Sequence, residues 1–307
     1  MNATLLRAHS GAPAHECVGA AGAPVLLALG GISANRHVVS HRDDASAGWW
    51  EGLAGEARPL DLTARRVLGV DYLDGGRDGD GRPARVVTTR QQAERIVALL
   101  DELGIERLQA VVGASYGGMV ALALAEGWPA RVERLVVISA AHETTPMATA
   151  LRVAQRQVVE LGLATGNADA CMAIARGIAM TTYRSAREFD ERFSLEPTFG
   201  ERGPEFDVER YLWRAGQRFA AIMPPERFLA LSLSADLHRV VPERIAVRTT
   251  VIAAQGDTLV PAAKLRELAR RLPRLDSFST LRTRYGHDAF LTEPARLARL
   301  LTIALAD

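Results

Sequence analysis

One stretch constrains this chain more than any other: residues 108–125, LQAVVGASYGGMVALALA. It is long and apolar enough for a hydropathy scan to flag as a membrane span. Gly113, Ser115, Gly117 and Gly118 interrupt it, however, and its pattern changes at the serine. A β-branched run before the serine and an Ala/Leu-rich run after it predict a buried strand, a tight turn and a buried helix. That unit demands a sheet with helices packed on it.

The rest of the chain repeats the alternation. PVLLALGG (24–31), RRVLGVDYLDGG (65–76), VERLVVISAA (132–141) and RTTVIAAQGD (248–257) read as strands, with SFSTLRT (277–283) as a last one. TTRQQAERIVALLDELGI (88–105) carries an apolar stripe at helical spacing and stops at Gly104. PAAKLRELARRL reads as another helix, and FLTEPARLARLLTIALA as a closing amphipathic one. Strands that are apolar throughout and alternate with helices predict an α/β fold with a mostly parallel central sheet covered on both faces. Residues 143–244 break the pattern. Helical segments dominate there, with Pro and Gly breaks near EPTFGERGP, so the expected organisation is a core of 1–142 and 245–307 carrying a helical cap over 143–244. DGGRDGDGRPAR (74–85) reads as a polar loop.

Gly113, Ser115 and Gly117 fit G-x-S-x-G at a strand-to-helix junction, the nucleophile elbow of α/β hydrolases. Such a serine stands above the sheet at a helix N-terminus, where backbone N–H groups and the helix dipole stabilise an oxyanion. It needs a histidine base and a carboxylate to orient that base, in the chain order Ser, acid, His. Asp257 follows a strand in AAQGDTLVP, and His287 follows the last candidate strand in RYGHDAF. Asp236 and Asp276 are rival acids, but only Asp257 ends an apolar strand in a Gly-Asp turn. His9, His15, His37 and His41 precede the serine, and His142 and His238 precede the acid, so surface or loop roles are expected for them. The expected oxyanion donors are the N–H of Tyr116 and one N–H of the early loop, from Leu29, Gly30 or Gly31.

Composition removes other classes. Among 307 residues the net charge is +1, with Lys264 the only lysine, which points to neither nucleic acid nor an anionic membrane. Cys17 and Cys171 are too few for a disulfide framework, and no HExxH or paired Cys/His spacing suggests a metal. The N-terminal residues MNATLLRAHSGAPAHECVGAAGAP lack the unbroken apolar segment of a signal peptide, so a cytoplasmic protein is expected.

Several stretches together resemble the homoserine O-acyltransferase family, the α/β-hydrolase-fold enzymes that acylate homoserine in methionine synthesis. They are GWWEGL (48–53), TTRQQAERIVALLDELGIERLQAVVGASYGGMVAL, QRQ (155–157), ARGIAMTTYRSAREFDERF (175–193), YLWRAGQRF (211–219), LSADLHRV (233–240), GDTLVP and YGHDAFLTE. The resemblance implies a ping-pong transfer from an acyl-CoA co-substrate, with no bound cofactor. Ser115 would take the acyl group, His287 would act as base, and the hydroxyl of L-homoserine would receive the group. It also implies that Arg184 of TYRS and Asp288 of GHDAF bind the amino acid's carboxylate and amine, and that the chain forms a homodimer through its cap. The bland readings are a surface salt bridge for Arg184 and a helix N-cap for Asp288.

This chain has Ala114 and Tyr116 around the serine where the family usually has glycine and methionine, and its early loop reads LALGGIS rather than His-Ala-Leu-Thr-Gly. Acetyl-CoA is the first expected donor, since succinyl-CoA would need a further cation near the acyl pocket. Serine or another amino alcohol is an alternative acceptor. A hydrolase using the same triad is an alternative activity.

Overall fold

The computed structural model describes residues 13–75, 86–201 and 203–306. Among these residues seven strands form one sheet: β1 (His15–Gly19), β2 (Val25–Leu29), β3 (Arg66–Val70), β4 (Ala110–Ala114), β5 (Arg134–Ile138), β8 (Arg248–Ala254) and β9 (Leu275–Leu281). Their spatial order is β1-β3-β2-β4-β5-β8-β9, and every pair is parallel except β1 with β3. Strands β2, β4 and β5 are buried along their whole length, as a parallel sheet covered on both faces requires. On one face lie α1 (Thr89–Glu102), α2 (Tyr116–Gly127) and α8 (Ala262–Arg271). On the other lie α9 (Ala289–Thr292), α10 (Pro294–Leu305) and the Trp50–Leu60 segment. Thr88 caps α1 reciprocally with Gln91, so the predicted start of that helix carries a capping box.

The expected α/β architecture is therefore observed, with three differences in detail. Strand β1 was not anticipated. It is a half-exposed edge strand whose residues HECVG alternate in burial, so it lacks the apolar run that marks its neighbours. The closing helix is two helices, because Pro294 has no N–H to continue α9 and instead starts α10. The Pro/Gly-broken EPTFGERGP segment contains a short hairpin, β6 (Thr198–Gly200) with β7 (Gly203–Glu205). From residue 76 on, the polar segment 74–85 lies outside the described residues.

Between β5 and β8 the chain builds α3 (Pro146–Thr165), α4 (Ala168–Tyr183), α5 (Ala186–Arg192), α6 (Asp207–Ala220) and α7 (Pro225–Leu237) besides that hairpin. These helices have a small core of their own, centred on Val159, Met172, Phe219 and Phe228. Among the described residues no helix is long and apolar enough to cross a membrane. The apolar stretch 108–125 holds β4, a single-residue turn at Ser115, and most of α2.

Candidate active site

Ser115 is the turn between β4 and α2. Its φ is 54° and its ψ is −122°, a conformation that costs an L-residue roughly 1–3 kcal/mol. The two motif glycines exist because there is no room beside them. A Cβ on Gly113 would stand 2.5 Å from the Gly117 carbonyl oxygen, and one on Gly117 would stand 2.3 Å from that of Leu29. The bend is held from outside as well, since the Ser115 N–H donates to the Ile138 carbonyl on β5 at 2.9 Å.

The expected partners meet at this bend. Ser115 Oγ lies 2.8 Å from His287 Nε2, and His287 Nδ1 lies 2.7 Å from Asp257 Oδ2. Both His287 and Asp257 are buried. The other Asp257 oxygen accepts from the N–H groups of Leu259 (3.0 Å) and Val260 (2.8 Å), which fixes the carboxylate in the turn after β8. His287 sits on a short 3₁₀ turn after β9, where Gly286 takes a φ of 67° against the Ser185 backbone. Burial pulls the His287 pKa down, but the Asp257 charge, its hydrogen bond and the nearby Asp288 outweigh that and raise it above the ordinary histidine value. The sequence-predicted triad is thus one continuous hydrogen-bonded relay, and its imidazole is built to hold a proton more firmly than free histidine does.

The rival residues are committed elsewhere. Asp276 pairs with Arg248, and Asp236 with Arg152 and Arg156. Burial pushes the His238 pKa down to about 3. Its Nε2–H donates to the Ala141 carbonyl and its Nδ1 accepts from the Thr89 hydroxyl, so it is a neutral structural histidine. Burial also lowers the His142 pKa, and its Nε2 accepts from Arg271. His9 lies outside the described residues.

Ser115 and His287 open into a cavity of about 100 Å³, which Gly31, Trp49, Arg176, Tyr183, Asp288 and Phe290 also line. That volume is far below the roughly 300–1,000 Å³ of a drug-sized site. It admits a short acyl group or the head of an amino acid. A second cavity of about 690 Å³ shares Ser33 and Trp49 with it and lies toward β1.

Comparisons with known proteins agree on what this arrangement belongs to. Residues 24–294 match the family described as alpha/beta hydrolase fold. The chain is 43% identical to a homoserine O-succinyltransferase of Xanthomonas campestris, over 95% of this chain and 78% of that protein. It is 34% identical to an L-serine/homoserine O-acetyltransferase of Streptomyces lavendulae, over 88% and 84% of the two chains. The chain belongs to the homoserine O-acyltransferase family. Among solved structures, the esterase E22 superposes with a TM-score of 0.84 at 22% identity, over 95% of this chain and 93% of that one, which bears on the fold alone.

The two residues that the acyltransferase resemblance assigned to amino-acid binding do not stand apart as a cation and an anion awaiting a ligand. Arg184 Nε lies 3.3 Å from Asp288 Oδ2, and the Arg184 guanidinium also lies 3.5 Å from Glu188. Asp288 lines the small cavity and Arg184 does not. The reason is local. Arg184 is the first residue past α4, with an extended backbone (φ −106°, ψ 149°), and so leaves the helix face that looks into the site. Its neighbour Ser185 caps α5 through the Glu188 N–H and donates its hydroxyl to the Arg284 carbonyl. The TYRS segment therefore docks onto the loop that carries His287. Asp288 occupies the N-cap position of α9 but makes no side-chain capping bond there.

The cation that does line the cavity is Arg176, two helical turns before Tyr183 on α4 and hence on the same face. Among the described residues its guanidinium pairs with no carboxylate. It stacks over the Tyr183 ring at 5.1 Å and the Phe219 ring at 4.8 Å. The Tyr183 ring in turn lies 5.7 Å from that of His287. In the sequence, Arg176 lies in ARGIAMTTYRS, and its seven-residue spacing from Tyr183 is the signal that puts the two on one helix face.

At the early loop, Gly31 lines the cavity while Leu29 and Gly30 lie behind it. The Gly30 carbonyl accepts from the Gly117 N–H at 2.9 Å and the buried Tyr72 hydroxyl at 2.7 Å, so the loop is clamped to the start of α2. The Tyr116 side chain points into the body of the protein. Its hydroxyl meets Ser234 at 2.7 Å and accepts from Gln92 at 3.2 Å, and burial pushes its pKa up to about 12. A tyrosine in place of the family's usual methionine therefore ties α2 to α1 and α7 and leaves the cavity unobstructed.

Proposed function

We propose that this chain transfers an acyl group from an acyl-CoA to the hydroxyl of L-homoserine through an acyl-Ser115 intermediate. Ser115 Oγ attacks the thioester carbonyl while His287 Nε2 takes its proton. Asp257 holds the His287 tautomer and stabilises the imidazolium. The oxyanion is met by the Tyr116 N–H and an N–H of the 29–31 loop, with Leu29, Gly30 and Gly31 as candidates. The C–S bond then breaks, and His287 returns the proton to the departing thiolate. The homoserine hydroxyl enters next. His287 deprotonates it, its oxygen attacks the acyl-serine carbonyl, and the proton passes back to Ser115 as the ester is released. Nucleophile, base and donors all come from the chain, so this chemistry asks for no metal or prosthetic group. Acyl-CoA thioesters are intracellular metabolites, which places the reaction in the cytoplasm, as one step toward methionine.

The observation that carries this reading is that Arg176 and Asp288 both line a cavity this small. A zwitterionic amino acid needs one cation for its carboxylate and one anion for its amine, whereas a simple esterase has no use for both. On this reading Arg176 grips the carboxylate, and Asp288, held by Arg184, receives the ammonium group.

The donor we assign is succinyl-CoA. Asp236 is shared by Arg152 and Arg156, at 2.6 Å from each, which leaves one positive charge on that cluster. A dicarboxylic acyl chain needs a further cation, which that cluster on α3 offers, and the 43%-identical relative of Xanthomonas campestris is a homoserine O-succinyltransferase, so succinyl displaces acetyl as the first choice.

Thiol release from succinyl-CoA and acetyl-CoA, with and without homoserine or serine, tests the whole assignment. Release that needs homoserine and is faster with the succinyl donor is expected. Equal release without any acceptor would make the protein a hydrolase.

We further propose that residues 143–244 act as a cap over the serine and that the outer face of α4 and α6 seats a second copy. Ile174 and Trp213 are more than half exposed there, beside a groove of about 550 Å³, and a solvated monomer has no use for such a patch. A sizing column should return a dimer, and a monomer at micromolar concentration would remove this proposal.

A further inference from the structure

His37 and His41 fall outside the relay at Ser115, and in sequence they form no recognised metal motif. The fold gives them a third partner. Glu16 on β1 brings its Oε2 to 2.9 Å from His37 Nδ1 and 3.1 Å from His41 Nε2. Asp44 Oδ2 lies 3.8 Å from the same His37 nitrogen. The ligand atoms of Glu16, His37 and His41 all lie within 4.8 Å of one another. The side chains of all three are mostly buried, with exposures of 21, 11 and 17%.

The hydrogen bonds around the cluster fix which ring nitrogens face its centre. The Ser46 carbonyl, 2.9 Å from His37 Nε2, can only accept, so that nitrogen carries the proton. In neutral His37 the Nδ1 lone pair then faces the Glu16 carboxylate, which is also an acceptor. Two acceptors then meet, and either a second proton on His37 or a shared metal ion satisfies them. A ligating histidine whose other ring N–H is fixed by a backbone carbonyl is a recurring feature of metal sites. The outer oxygen of Glu16 is oriented by Arg36 Nε at 3.3 Å. The two separations to Glu16, 2.9 and 3.1 Å, lie close to the edge of about 3.3 Å expected for tetrahedral ligands on metal–ligand bonds of about 2.0 Å. One contact must yield. His41 Nδ1 lies 3.3 Å from the Asp43 N–H, a long hydrogen bond that ligation through Nε2 gives up.

We propose that Glu16, His37 and His41, with water in the fourth position, bind a divalent metal ion of the zinc type. Two imidazoles and a carboxylate suit such an ion better than magnesium or calcium, which prefer oxygen ligands throughout. The site joins the edge strand β1 to the loop between β2 and β3, and that loop supplies Trp49 to both cavities. The ion would clamp the outer wall of the path to Ser115 rather than take part in the chemistry.

The full chain, stripped with a chelator and titrated with Zn²⁺ against a chromophoric competitor, should take up one equivalent. Glu16→Gln and His41→Ala should each weaken that uptake roughly 100-fold or more, while His142→Ala leaves it unchanged. Failure to bind one equivalent, or equal affinity in His41→Ala, would overturn the proposal. Should either variant misfold, Co²⁺ loaded into the native chain decides. A tetrahedral visible spectrum with imidazole and no thiolate signature supports the site. An octahedral or thiolate spectrum refutes it.

Discussion

Ser115→Ala is expected to lose acyl transfer by a factor on the order of 10⁴ or more, while the circular dichroism spectrum and elution volume stay those of the native chain. The size follows from what the residue does. The hydroxyl is the only atom of the relay that bonds to the acyl group, and relays of this kind fail almost completely when any one member is removed. The fold should survive because the bend at residue 115 rests on backbone features. The Ser115 N–H bond to Ile138 and the glycines at 113 and 117 do not involve the side chain, and alanine meets the same strain at a φ of 54° as serine. Transfer at more than a few per cent of the native rate would mean that homoserine attacks the thioester directly, with His287 as its base.

The second large effect is expected at Arg176. Arg176→Ala should raise KM for homoserine roughly 100-fold, the scale of a lost bidentate charge-assisted pair, with little change in KM for the acyl-CoA. Arg184→Ala should behave differently. Arg184 is occupied by Asp288 and Glu188 outside the cavity, so its loss should act through the position of Asp288 and of the His287 loop. That shows as a lower kcat more than as a higher KM. Steady-state kinetics with the acceptor varied at saturating donor separate the two. If Arg184→Ala raises the homoserine KM and Arg176→Ala does not, the carboxylate is held by Arg184, as the family resemblance first implied.

The contrast between these two arginines shows where the sequence is a good guide. Elements that bury a whole strand are legible because burial leaves a continuous apolar run. The strands at 25–29, 110–114, 134–138 and 248–254 all sit within the stretches read as strands. The triad is legible for a related reason. Its members must lie in turns just past strand ends, and Gly-x-Ser-x-Gly, Gly-Asp and Gly-His mark those turns. Strand β1 is not legible because an edge strand with one exposed face carries no such run. Arg176 and Arg184 cannot be told apart by residue type. What separates them is that α4 ends at Tyr183, so that one keeps to the helix face over the site and the other swings to the outside. The cluster of Glu16, His37 and His41 was hidden for a further reason. Its members come from different segments, and only the antiparallel pairing of β1 with β3 brings the first near the other two.

The central claim is a covalent one, and it is read most directly by mass. The protein is mixed with succinyl-CoA in the absence of homoserine, quenched in acid, digested, and the peptide containing Ser115 is weighed. One acyl group on Ser115, formed together with one equivalent of free thiol and discharged as O-succinylhomoserine when homoserine is added before the quench, is the predicted result. Formation of O-succinylhomoserine at the native rate while that peptide never carries an acyl group would contradict the account.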